Sequence, residues 1–245
     1  MFRSSRSLPR LLAALVLLLT PAAATARGLL QLSLAGEVAV EGGGRVELLV
    51  GSWVPAREEA RELEVSLHLA QGTTAPEILE LVQARLEAAG FPARLTRAAV
   101  GKADAPPRAH LLLDECLFVQ LRLAPGMTST ITSCEGPIGT LTFGPSQAHT
   151  SSGRLVVSAS AIHDHDERRS YKRFVLDLPE GAHPSKLSES MFQEGTDAGW
   201  LAERSGPMEW SPIRLKDGSR IVGMSVRIES EADWGLRVEL PRRPR

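Results

Sequence analysis

The sequence lacks most of what would assign a chemistry at sight. Among 245 residues there are two cysteines, four lysines and one tyrosine. Cys116 and Cys134 are not spaced as Cys-x-x-Cys, which excludes a dithiol redox motif and a zinc knuckle. Acidic and basic residues are mixed, 29 against 28, and no basic stripe runs along any segment. Nucleic acid is therefore not an expected partner. There is no Gly-x-Ser-x-Gly elbow, no phosphate-cradling glycine loop and no dinucleotide fingerprint. After the first 26 residues no apolar run approaches the ~20 residues that span a bilayer, so no transmembrane segment is expected in the remaining chain. No internal repeat is visible.

What is present begins at the amino end. Arg3, Arg6 and Arg10 form a basic start, Leu11 to Leu19 an apolar middle, and Ala24-Thr25-Ala26 a small-residue end. That three-part layout is a cleavable secretory signal over 1–26. Cleavage near Ala26 removes three arginines and moves the formal charge from -1 to -4. No cysteine follows the apolar run, so no lipid anchor is expected. The destination is the periplasm or the exterior of a bacterium, and the arginine bias, 24 against four lysines, matches a high-GC genome.

Beyond the leader, hydrophobicity alternates at period two. Val46, Leu48 and Val50 form one such row; Leu63 to Leu69, Leu155 to Ala161, Val222 to Ile228 and Leu236 to Leu240 form others. Each reads as a strand with one buried face. One helix is strongly signalled. Thr74-Ala75-Pro76-Glu77 is a capping box, Ile78, Leu79, Leu81, Val82, Leu86 and Ala89 are read as one face, and Gly90 and Pro92 end the run. This predicts a helix over 75–89, with a weaker one at 185–193. The expected class is α+β, mainly antiparallel sheet, with the C-terminal half mostly β. Composition divides the chain into an α+β portion, 27–145, and a β-rich portion, 146–245, which either stand apart or share one core. Lys216-Asp217-Gly218-Ser219 predicts a tight hairpin.

In an oxidising compartment two cysteines imply a disulfide. Residues 116–123 and 127–134, joined by Ala124-Pro125-Gly126, read as a hairpin whose register sets Cys116 opposite Cys134.

Three clusters bear on function. His163, His165 and Asp166, within Ile162-His163-Asp164-His165-Asp166-Glu167, can hold a divalent metal if the preceding strand continues. A charged hairpin tip accounts for the same residues. Glu229, Glu231 and Asp233 alternate before Trp234, but no glycine-centred calcium loop accompanies them. Trp53, Trp200, Trp210 and Trp234 form a ligand platform if they face solvent, and core or rim packing if they do not. No cofactor is required beyond that divalent metal. The composition favours a non-catalytic binding or structural module of the envelope or exterior, its ligand carbohydrate or protein. The alternative is a metal-dependent hydrolase centred on His163 and His165. The residues weigh against an enzyme without deciding between the two classes.

Overall fold

The computed structural model describes residues 28–54, 59–98, 108–144, 152–163, 167–230 and 235–241. The predicted leader, 1–26, lies outside them. Thirteen strands are described: β1 (Gly28–Gly36), β2 (Gly44–Val54), β3 (Glu59–Leu69), β4 (Ala93–Ala98), β5 (Arg108–Arg122), β6 (Met127–Ser133), β7 (Thr140–Phe143), β8 (Gly153–Ile162), β9 (Arg169–Leu178), β10 (Trp200–Glu203), β11 (Glu209–Leu215), β12 (Arg220–Ser230) and β13 (Leu236–Glu239). Two helices accompany them, α1 (Ala75–Ala88) and α2 (Pro184–Asp197). All pairings between these strands are antiparallel, and the sheet curls into a half-barrel of α+β class.

The period-two rows decide which face turns inward. Leu30 and Leu32 of β1, Leu111 and Leu113 of β5, Ile131 of β6, Val226 of β12 and Val157 of β8 are buried together. Val46, Leu48 and Val50 of β2 join them, as do Val119 and Leu121 of β5 and Val238 of β13. The core draws on residues from both sides of position 145. Both helices pack into the curl, α1 against β1, β3, β4 and β5, and α2 against β7, β9, β10 and β11.

Helix α1 begins where its capping box predicts. The backbone N–H of Thr74 donates to Glu77 Oε2 at 2.8 Å, and the Thr74 hydroxyl donates to the same oxygen at 2.7 Å. Ile78, Leu79, Val82 and Leu86 are its buried stripe; Leu81, expected on the same face, is 46% exposed because it falls a helical step away from that stripe, and Gly90 adopts φ +78° just beyond the helix end. Arg97 of β4 pairs with Glu80 and fastens the helix to the sheet. Helix α2 starts one residue before the predicted 185 and continues to Asp197, with the His183 imidazole accepting from the Ser185 N–H at its start.

Strand β5 joins the parts. Its first half pairs with β1 and β4 and its second half with β2 and β13. Between them the register slips on both neighbouring strands, and Glu115 takes φ +56°. This is a bulge, in which one extra residue re-aims the strand. The buried Ser52 hydroxyl bonds the carbonyls the bulge frees, Glu115 O at 2.9 Å and Asp114 O at 3.2 Å. On the next pair Gly51 lies directly opposite Phe118, whose ring is covered from outside by the Arg237 guanidinium 3.5 Å from its centroid.

Two turn expectations are corrected. Strands β5 and β6 do not form a hairpin, because β1 inserts between them, pairing with β5 on one edge and β6 on the other. Gly126 does take the positive φ, +88°, that such a loop needs, and the Pro125 carbonyl instead accepts from Ala39 N–H at 3.1 Å. The Asp217-Gly218 turn connects β11 to β12 without pairing them; β12 lies between β6 and β8. Turn chemistry bends the chain, but strand partners are chosen by where the buried faces fit.

Candidate functional site

The insertion of β1 also decides the cysteines. Cys116 lies in register with Gly28 on one edge of β1, and Cys134 N–H donates to Leu29 O on the other. Two strand spacings put their backbones ~10 Å apart, beyond the ~7 Å a disulfide tolerates. The expected bridge is thus absent, and both are free thiols. Cys116 is buried, its sulfur 3.4 Å from Phe118 O, and burial pushes its pKa far up. Burial, and then the charge of Glu135, also raise the pKa of the more exposed Cys134.

The tryptophan platform is corrected in part. Trp200 and Trp210 are 0% exposed. Their centroids stand 5.8 Å apart, and each meets Phe174 edge-on at 5.8 and 5.7 Å. Gly195 of α2 admits this cluster, since a Cβ there would stand 3.3 Å from Trp210 Cζ2. These two indoles hold α2 against β9, β10 and β11. Trp53 is partly exposed near the end of β2, and Trp234 lies outside the described residues.

His163 terminates the β8–β9 ladder. Ile162 is opposite Arg169, and His163 N–H donates to Arg168 O at 3.0 Å. Glu167, at φ +52°, turns the tip. The partly buried imidazole lies within electrostatic reach of Asp217, whose carboxyl is held below the usual range, foremost by the Ser219 backbone N–H, then by the Ser219 side chain, Lys172 and His163. His165 and Asp166 lie outside the described residues, as do Glu231 and Asp233. Among the described residues no three His, Cys, Asp or Glu side chains converge to hold a metal.

The outward face of the sheet carries an arrangement that strand-by-strand reading did not reveal. Cross-strand register aligns Arg173, Ser158, Ser225, Thr132, Gln31 and Leu112 in one row from β9 to β5. A second row runs through Val175, Val156, Arg227, Thr130, Ser33 and His110. Ser158 Oγ and Ser225 Oγ are 3.1 Å apart, and Ser33 Oγ is 2.7 Å from His110 Nδ1. The signal in the sequence was Met127-Thr128-Ser129-Thr130-Ile131-Thr132, with three threonines on one face of a central strand.

The Ser33–His110 pair has the contact of a nucleophile and its base. Acyl transfer, however, also needs donors aimed at a developing oxyanion. Strand β1 is paired along both edges, so its N–H groups are committed to ladders. The arginines along the face differ in a way that matters for ligands. Arg94 bonds Asp114 at 3.0 Å, Arg154 bonds Asp177 at 3.0 Å, and Arg227 pairs with Glu229 at 3.1 Å. Arg169 and Arg173, exposed on β9, form no ion pair among the described residues.

No described helix is long and apolar enough to cross a membrane. No family model matches the chain, and no curated protein matches it. Among solved structures it is similar to the flagellar cap protein FliD from Helicobacter pylori, at 11% identity and a TM-score of 0.20, covering 79% of this chain and 57% of that one. The chain thus spans little more than half the length of that protein, and a likeness so slight carries no argument about fold or role.

Proposed function

We propose that this protein is an exported, non-catalytic binding module of the bacterial envelope or exterior, and that its outward sheet face is the surface it presents. The observation that carries the reading is the alignment of the partly exposed Ser225, Thr132 and Gln31 across three adjacent strands, next to the buried Ser158. A face left only to water needs polar side chains but no common row. Hydroxyl and amide groups in register offer donors and acceptors at a strand's spacing, ~4.8 Å. The basic, apolar and small-residue segments of 1–26 support delivery outside the cytoplasm.

The test is co-sedimentation of the chain lacking 1–26 with insoluble polysaccharides and with washed cell envelopes. The wild type is retained by at least one of them. Thr132→Lys with Ser225→Lys, which fills the row with long charged side chains, releases it. Glu47→Lys, remote from the row on β2, leaves retention unchanged. No retention by any material, or equal retention of the row variant, refutes the reading.

A further inference from the structure

Tyr171 is 65% exposed, and it stands on β9, the last strand of the sheet. Alternation places Arg169 and Arg173 on the same face, each ~6.5–7 Å from it along the strand. Arg94, Arg154 and Arg227 of this face pair with Asp114, Asp177 and Glu229, whereas these two form no ion pair among the described residues. The face therefore offers two guanidinium groups, unpaired among the described residues, astride one open aromatic ring. From Arg173 the row of Ser158, Ser225, Thr132 and Gln31 leads away over four strand steps, ~19 Å.

Each part selects for a different feature of one ligand. Guanidinium forks match carboxylates. An exposed ring offers a flat apolar surface on which the C–H face of a pyranose can lie. A straight run of neutral hydroxyl and amide groups matches a polymer with a hydroxyl-bearing repeat. A phosphate group or lipid head would engage the arginines and leave the row unused. We propose, building on the binding function above, that this face holds an acidic polysaccharide of the polyuronate class lying across the strands. Carboxylates sit on Arg169 and Arg173, one ring stacks on Tyr171, and further hydroxyls bond the row from Ser225 to Gln31, beyond the buried Ser158.

The experiment is titration calorimetry of the chain lacking 1–26 with oligogalacturonate. Maltohexaose serves as the neutral sugar, and polyphosphate as the anion without sugar. Circular dichroism confirms the fold of each variant. Oligogalacturonate binds in preference to both controls. R169A with R173A weakens it about tenfold or more, as expected for lost charge-assisted hydrogen bonds. T132V weakens it severalfold, and R45A, on β2, does not change it. Oligogalacturonate that fails to bind, or binds R169A/R173A equally, overturns the proposal. Polyphosphate bound as tightly, with T132V without effect, also overturns it and makes the surface a general anion site. Maltohexaose bound in a T132V-sensitive manner overturns the acidic ligand but keeps the binding face. Absence of binding to all three, together with no retention in the sedimentation assay, removes both readings.

Discussion

Gly51 and Phe118 form a directly opposed cross-strand pair, and the ring lies over the glycine. A Cβ at position 51 would fall 2.5 Å from Phe118 Cδ1 and 2.7 Å from Cζ, too close for any real contact. Gly51→Ala must therefore push the ring off the strand and away from Arg237. Overpacking of this kind costs ~1–3 kcal/mol, offset by the ~0.5–1 kcal/mol that alanine gains over glycine inside a strand. The expected net loss is ~1–2 kcal/mol. With Phe118→Ala already in place the obstacle is gone, and the same Gly51→Ala should then stabilise by ~0.5–1 kcal/mol. Phe118→Ala alone should cost ~3–5 kcal/mol, within what a folded domain tolerates. The sign reversal, a coupling of ~1.5–3 kcal/mol, is read from a double-mutant cycle. Urea unfolding followed by the emission of buried Trp200 and Trp210 supplies the four stabilities. Equal effects of Gly51→Ala in both backgrounds would refute the account of why glycine occupies that position.

Native protein should react with a thiol reagent at Cys134 alone, slowly at neutral pH because its thiol pKa is raised, and at Cys116 only in denaturant; an unfolded, unreduced chain with no reactive thiol contradicts the separation by β1. Trp210→Ala should cost ~3–5 kcal/mol and loosen α2, detected as lost protection of its amides in hydrogen exchange; unchanged protection would sink the packing role. Acid should selectively weaken two local structures. The Thr74 N–H and hydroxyl hold the Glu77 carboxyl below its ordinary pKa, and the Ser219 N–H does the same for Asp217. Each contribution is complete above the unfolded carboxyl range, ~4, and disappears as pH falls through the lower folded value. Glu77→Gln and Asp217→Asn should each flatten the acid limb of a stability-against-pH curve, and an unaltered slope would show that these bonds do not form.

Local features of the fold were legible in the sequence because their causes are local. The capping box at Thr74 and Glu77, the stripe of Ile78, Leu79, Val82 and Leu86, and the stop at Gly90 lie within five turns of one helix. The inward rows of β2, β8 and β12 follow from alternation alone. Pairing was not legible in the same way. Pro125-Gly126 and Asp217-Gly218 each have good turn chemistry, yet neither brings its flanking strands together. In both cases a strand from far along the chain takes the place beside the turn, since burying its face outweighs a short loop's preference. The tryptophans show the same limit. Alternation around Trp210 does not say which face is inward until Phe174 and α2 arrive above it. The serine–histidine contact was invisible because Ser33 and His110 are 77 residues apart. The polar row became apparent only once register aligned five strands.

The central position of β1 has a consequence for how the molecule is made. The first described strand is flanked by two of its later ones, and the Ser33–His110 separation of 77 residues measures the wait. As the chain emerges amino end first, this leucine-rich segment stands with both hydrogen-bonding edges bare while its companions are still unsynthesised. Such distant closures are slow, and bare edges invite stray association. A polypeptide of this wiring cannot lock early, which keeps it threadable through a narrow passage. It also makes Leu29 to Leu34 the stretch that a holding chaperone would most usefully shield.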